Sequence, residues 1–280
     1  MPTFSLILAT RGRTAELDRF FSSIETANTN DYECLVVDQN VDDRLTSILD
    51  NWRSKIPIKH LRSLPGLSRA RNVGLAAATG EVLAFPDDDC RYSEGLLRGV
   101  AMFFAANPDY SLLSVGVCDD TGRASGNRWL RDRCDLATPN LFRTSVGMAL
   151  FVRRNAISHS LRFDESLGVG AGTRFASGED TDYVFRLLRA GLKGRFERGL
   201  TVYHPRHDML SGDADAARAY GYGCGMGRVI RNHAKLPLLP AFVIFDLLRG
   251  GYSLLRGQPG PARLCAIHGR GVFSGYMAAK

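Results

Sequence analysis

Short apolar runs that each close on a polar residue, separated by stretches with helical spacing, constrain this chain more than any other feature. Phe4–Ala9 leads into Thr10, and Cys34–Val37 leads into Asp38. Ile58–Leu61 is a shorter third run, and Glu81–Phe85 passes through Pro86 into Asp87-Asp88-Asp89. Between them, Ala15–Ala27, Leu45–Trp52 and Leu67–Ala78 carry helical patterns. In the first of these, Leu17, Phe20, Phe21 and Ile24 share one face. Strands alternating with helices at such short spacing predict an α/β fold with a mostly parallel central sheet flanked by helices. Thr10, Asp38 and Asp87–Asp89 would then line the C-terminal edge of the strands, where open α/β sheets bind ligands. Further along, the pattern predicts a helix over Leu96–Ala106, a strand over Ser111–Val117 and a polar, loop-rich stretch over 116–140. A strand over Ser145–Val152 and a helix over Thr181–Arg189, closed by Gly191, follow.

A length of 280 residues with 45% hydrophobic residues suits one large domain, or one domain with a small appendage, and excludes a disordered chain. The six cysteines are scattered without a Cys-x-x-Cys pair, which predicts reduced thiols rather than a zinc cluster or a disulfide framework. The first residues show neither a basic segment nor a long apolar one, so a cytoplasmic location is expected. The net charge of +7 is concentrated near the C-terminus. Beyond residue 216 the basic residues are Arg218, Arg228, Arg231, Lys235, Arg249, Arg256, Arg263, Arg270 and Lys280, against the single acid Asp246. These alternate with apolar residues instead of forming a run, which favours an anionic membrane surface over nucleic acid. The apolar run Leu236–Phe245 is too short to span a bilayer, which takes about 20 residues. After Pro240, Asp246, Arg249, Ser253 and Arg256 fall on one side of a helix. Phe242, Phe245, Leu248, Tyr252 and Leu255 fall on the other, with a weak point at Gly250-Gly251. Packing on the domain's own core and lying at a membrane interface, peripheral to its inner face, both remain open. The expected division is a domain over 1–215 and a basic helical extension over 216–280.

Three segments carry chemistry. Asp87-Asp88-Asp89 places carboxylates side by side, and these repel unless a cation or hydrogen-bond donors compensate. Mg2+ or Mn2+ held by one or two carboxylates and a substrate diphosphate is one reading, and a solvated acidic turn is the other. Ser177-Gly178-Glu179-Asp180-Thr181-Asp182 precedes a helix. Capping explains such carboxylates, Asp182 above all, while a carboxylate held there can also accept a proton from a hydroxyl. Gly66-Leu67-Ser68-Arg69-Ala70-Arg71-Asn72-Val73-Gly74 opens a helix that Ser68 can cap. Its arginines suit phosphate or packing, and Gly74 with Ala70, Ala77 and Ala78 suits close helix–sheet contact.

The order of these pieces resembles the family 2 glycosyltransferases, which have the GT-A fold. Thr10-Arg11, Val37-Asp38, Gly66–Gly74, Ala77–Glu81 and Phe85–Asp89 match the family's first half. Phe163-Asp164-Glu165, Gly178–Asp182 and Tyr203-His204-Pro205 match its second, so the resemblance covers about residues 3 to 210. It implies an inverting transferase that moves a sugar from a nucleoside-diphosphate sugar, with a UDP-sugar favoured, to a glycan or lipid-linked acceptor in surface polysaccharide synthesis. Carried over by position, Thr10, Arg11, Asp38, Arg71, Asp87 and Asp88 would bind the donor. Asp89, Asp87 and His204 or His207 would hold Mn2+ or Mg2+. Asp180 would be the base and Glu179 would lie near the acceptor. Pro86 and Cys90 depart from the usual pattern and leave Asp88 and Asp89 as rival ligands. The segment Tyr220–Gly227 resembles bacterial surface-glycan enzymes, which implies a membrane contact through 236–280 and no nucleic acid. A metal-dependent nucleotidyltransferase and a non-catalytic membrane- or glycan-binding relative are the alternatives. Arg128 and Trp129 are expected on the acceptor side.

Overall fold

A computed structural model describes residues 3–26, 31–126, 129–158, 161–206, 212–233 and 238–278. The chain forms two compact units. The first comprises Met1–Pro65, Arg69–Phe163 and Tyr183–Arg206, and the second Gly66–Ser68, Asp164–Asp182 and His207–Lys280.

The first unit contains β1 (Phe4–Thr10), α1 (Ala15–Glu25), β2 (Tyr32–Asp38), α2 (Thr46–Arg53) and β3 (Ile58–Arg62). Most of α3 (Leu67–Ala77) follows, then β4 (Val82–Ala84), β5 (Arg91–Tyr92), α4 (Leu96–Ala106), β6 (Leu112–Cys118), β7 (Cys134–Asp135) and β8 (Leu150–Arg153). The boundary between the units falls inside α5 (Glu179–Arg189), after which β9 (Gly194–Tyr203) completes the sheet. Strand order is β3-β2-β1-β4-β8-β6-β9-β5, with β7 pairing to β9. β1 to β4 run parallel, β8 is antiparallel to both β4 and β6, and β6 and β9 are parallel. The chain steps outward from β1 to β2 and β3, then returns to place β4 on the other side of β1. That reversal is a topological switch point, and open α/β sheets bind ligands at the carboxyl ends of the strands beside it. The register puts Thr10 beside Asp38, and an isolated bridge pairs Ala9 with Asp87.

The core follows the sequence pattern. Every residue of β1 is buried, as are Leu17, Phe20, Phe21 and Ile24 on α1. A Cβ on Gly74 would stand 2.2 Å from a methyl of Ile7, so the helix lies directly on β1, as the small-residue spacing predicts. Several elements depart from expectation. The strand expected over Ser145–Val152 is confined to Leu150–Arg153, because Gly147–Ala149 forms a 3-10 turn. β5, β7 and β9 carry no clear period-2 signal. In β9 an irregular register opposite Val115 and Gly116 interrupts the alternation. Ser68 does not act as the expected cap, since its hydroxyl donates to the Leu167 carbonyl at 2.7 Å.

In the second unit, α6 (Asp213–His233), α7 (Leu238–Leu255) and α8 (Pro259–Met277) form a helical assembly. Gly223 and Gly227 of α6 face Gly271 and Gly275 of α8. A Cβ on Gly227 would lie 2.0 Å from the Val272 carbonyl oxygen, and one on Gly275 2.0 Å from that of Cys224. Paired glycines at i,i+4 let the two backbones meet, which no larger residue permits. The Tyr220–Gly227 segment is thus a helix–helix seam. Gly225, between the two seam glycines of α6, faces the other way, with an added Cβ 2.2 Å from the Ser177 carbonyl oxygen. Gly225→Ala should destabilise the protein by about 1–3 kcal/mol, because backbone must move to admit the methyl. Urea unfolding checks this, and an unchanged midpoint would contradict the close approach.

On α7 the structure decides between the two open readings: part of the polar side is buried and the apolar side is exposed. Asp246, Gly250 and Ser253 turn inward, with Asp246 only 4% exposed, whereas Leu248, Tyr252 and Leu255 are exposed. An added Cβ on Gly250 would have Ala262 and Cys265 of α8 at ordinary van der Waals distance, so this side of α7 packs on α8. Asp246 is satisfied by His268 Nδ1 at 2.6 Å. The helix also runs unbroken through Gly250-Gly251. All six cysteines are free thiols.

Candidate active site

The acidic turn after β4 is compensated from several directions, all within the first unit. Cys90 N donates to the Asp87 carbonyl at 3.2 Å and closes the turn. Arg71, fully buried on α3, extends Nη2 to Asp87 Oδ1 at 3.2 Å, while its guanidinium lies 5.3 Å from the Phe163 ring centroid. Thr10 Oγ1 donates to Asp88 Oδ2 at 2.8 Å. Arg13 Nη1 lies 2.6 Å from both Asp88 Oδ1 and Asp89 Oδ2. His204 Nε2 is 3.3 Å from Asp89 Oδ1, and its Nδ1 is 3.3 Å from Ser125 Oγ.

The rival aspartates are separated by this geometry. Asp88 points at Thr10 and Arg13, and burial raises its carboxyl above the ordinary range despite both partners. Burial also pushes Asp89 upward, but His204 and Arg13 outweigh it and hold the carboxyl below the ordinary range. Asp89 is therefore the more firmly ionised of the two. The reciprocal effect acts on His204. Burial lowers its imidazole, and Asp89 with Asp87 overrides this and raises it. One ligand atom each from Asp87, Asp89 and His204 lies within 4.8 Å of the others. Two carboxylate oxygens and an imidazole nitrogen, all on partly exposed residues, fit a divalent cation that keeps room for oxygen ligands from a substrate. His207 and Arg128, also expected near the site, lie outside the described residues.

His204 reaches this cluster through β9. The antiparallel pairing of β5 with β9 sets Arg91 opposite Tyr203, so the next residue of β9's chain falls beside Cys90 and Asp89. Its own N–H donates to the Cys118 carbonyl at 2.9 Å. Arg13 was not singled out by the sequence. Its only signal is that a basic residue follows β1 by a short turn at Gly12, where φ is +77°.

Asp38 stands at the same strand edge but in its own network. Its Oδ1 accepts from Asn40 N at 2.8 Å and Asn40 Nδ2 at 2.7 Å. Its Oδ2 lies 3.0 Å from His60 Nε2 and 3.1 Å from Arg62 Nη1. Arg11 is exposed on the turn after β1. Trp129 is buried, stacked on Phe196 at 5.7 Å between centroids.

Glu179 and Asp180 belong to the second unit, in the first turn of α5. The preceding loop is held by Ser177 Oγ, which donates to the Tyr222 carbonyl at 2.8 Å, and by Ala176 N, which donates to that of Gly221 at 3.1 Å. Glu179 is buried with its carboxylate against Gly168, whose φ of +99° admits no ordinary side chain. Asp180 is partly exposed. Asp182, read from sequence as a cap, instead places Oδ1 2.6 Å from His233 Nε2 of α6. Both side chains are buried, so this contact ties α5 to α6.

Comparison with known proteins points one way. Residues 5–160, more than half of the chain, match the family described as glycosyl transferase family 2. Pre-mycofactocin glycosyltransferase of Mycobacterium tuberculosis, in two strains, is 28% identical over 190 residues. That match takes in 64% of this chain and 38% of the relative's length. Among solved structures, residues 1–349 of S. aureus TarS superpose with a TM-score of 0.61 at 15% identity, covering 96% of this chain and 91% of that one. The complex of the same TarS fragment with UDP-GlcNAc gives a TM-score of 0.60, covering 96% of this chain and 92% of that one at 15% identity. These likenesses establish the GT-A fold.

Proposed function

We propose, from the premise that this chain belongs to glycosyl transferase family 2, that it transfers a sugar with inversion from a nucleoside-diphosphate sugar to an acceptor hydroxyl. The observation that carries this reading is the Asp87, Asp89 and His204 cluster at the switch point of the sheet, beside β1 and β4. The solved TarS complexes with UDP-GlcNAc and UDP favour a UDP-sugar as donor. Asp87, Asp89 and His204 would hold Mn2+ or Mg2+, and the imidazole favours Mn2+. That ion would neutralise charge gathering on the departing diphosphate.

The chain's own residues supply the rest. Thr10 and Arg13 fix Asp88, so the turn presents its other two carboxylates without rearrangement. Arg71 holds Asp87 and adds positive charge beside the donor. Arg13, ion-paired to Asp88 and Asp89, is a second cation available to a phosphate. Asp38 and its arginine and histidine partners would border the base and ribose, with Arg11 at the rim. Asp180 would take the proton of the attacking hydroxyl, and Glu179 would orient the acceptor. A direct displacement of this kind inverts the anomeric centre and needs no covalent intermediate. The acceptor would be a glycan or lipid-linked saccharide of a surface polysaccharide. Residues 1–215 would form the transferase domain, and 216–280 the helical extension that buttresses the loop before α5.

A thermal-shift screen of UDP-, GDP-, dTDP- and CDP-sugars, each with and without Mn2+, tests the reading. A ligand at 100 times its dissociation constant adds about 2.7 kcal/mol to stability. One nucleotide class should stabilise the protein, and only with metal. No metal-dependent shift with any donor would overturn the donor-site assignment.

A further inference from the structure

With Asp246, Gly250 and Ser253 turned inward, α7 exposes its apolar side. Ile244, Phe245, Leu247, Leu248, Tyr252 and Leu255 are all exposed on α7, with Leu248 at 69% and Leu255 at 88%. Phe273 and Met277 of α8 are exposed as well. A groove of about 300 Å³ runs into this surface between the two helices, lined by Val243, Leu247, Cys265, Ala266 and Phe273. Monomeric soluble proteins rarely leave contiguous apolar surface of this kind open, so a partner is called for.

Charge selects the partner. Arg249 on α7, Arg256 just past its end, and Arg263 and Arg270 on α8 are all exposed. The only acid between 238 and 278, Asp246, is buried against His268. The exposed charge of α7 and α8 is therefore of one sign. A second copy of this chain related by a two-fold axis would set arginine against arginine. Arg263 faces Asp213 of α6 at 3.5 Å, and a neutral apolar partner would offer Arg249, Arg256 and Arg270 no counter-charge. No helix among the described residues is long and apolar enough to cross a membrane, which leaves contact along a surface. We propose that the exposed face of α7, with Phe273 and Met277 of α8, docks onto an anionic lipid bilayer. The apolar side chains enter the headgroup–acyl boundary and the arginines meet lipid phosphates. This goes beyond the proposed activity and does not depend on it.

Co-sedimentation of the full chain with vesicles is the test. Phosphatidylcholine vesicles containing phosphatidylglycerol should bring the protein down. Pure phosphatidylcholine should retain far less, and added salt should release it. Leu248→Glu with Leu255→Glu should weaken binding at least about tenfold, since two anchors are lost and two acids face an anionic surface. Arg249→Gln with Arg256→Gln should remove most of the preference for phosphatidylglycerol. All four positions are exposed, so the thermal melt of each variant should match wild type. The proposal is overturned if wild type stays in the supernatant with anionic vesicles, or if the glutamate variant sediments as wild type does. A wild-type dimer that the glutamate variant converts to monomer, without vesicle binding, would assign the face to a second copy and equally overturn it.

Discussion

Asp180→Asn should lower kcat by about 10² to 10⁴-fold, the range that a positioned general base contributes. The substitution keeps shape and hydrogen bonding but removes the ability to accept a proton at neutral pH. Asp180 lies in the first turn of α5 and is partly exposed. Donor binding should be untouched, because the cluster of Asp87, Asp89 and His204 belongs to the other unit. The informative result is therefore a split: a full nucleotide thermal shift together with a rate that has collapsed. At about 1.4 kcal/mol per factor of ten, the expected loss is far outside measurement error. A kcat within a few-fold of wild type would remove Asp180 from the base role.

Asp89→Asn should abolish the metal-dependent part of donor binding. In wild type, donor and metal together should add about 2.7 kcal/mol at 100 times the dissociation constant, and in the variant that increment should vanish. The comparison must be of shifts and not of absolute melting temperatures. Removing this carboxylate also strips His204 and Arg13 of a partner and changes the stability of the free protein. Asp88→Asn is the internal control. That carboxylate is turned to Thr10 and Arg13, so its loss should leave a metal-dependent shift in place, though weakened by disorder of the turn. If Asp88→Asn abolishes the shift and Asp89→Asn does not, the ligand assignment is reversed.

Much of the sheet was legible because local pattern and tertiary role agree there. β1 and β2 are apolar runs buried on both faces, as parallel strands covered by helices must be. Thr10, Asp38 and Asp87 were readable as edge residues from the same pattern. The C-terminal helices were harder. In α7 the two faces were legible but which of them is buried was not, because a helix can bury small and polar residues when a neighbour supplies backbone proximity and a histidine. Asp246 with His268 and Gly250 beside Ala262 show both conditions met. Gly223 and Gly227, with Gly271 and Gly275, are a seam whose two halves lie far apart in sequence. Spacing within either segment says only that a close approach is available, not to what.

The sequence by itself determined that β1, β2 and β4 would present polar residues along one edge, since strand burial and helix spacing are local properties. It also determined the acidic turn and the basic character of the C-terminal quarter. Only the tertiary structure decided which of Asp88 and Asp89 faces His204, because that depends on the β5–β9 register. It alone drew Arg13 into the acidic turn and Asp182 to His233. Contacts of this kind join residues from tens to more than a hundred positions apart, and no local period encodes them.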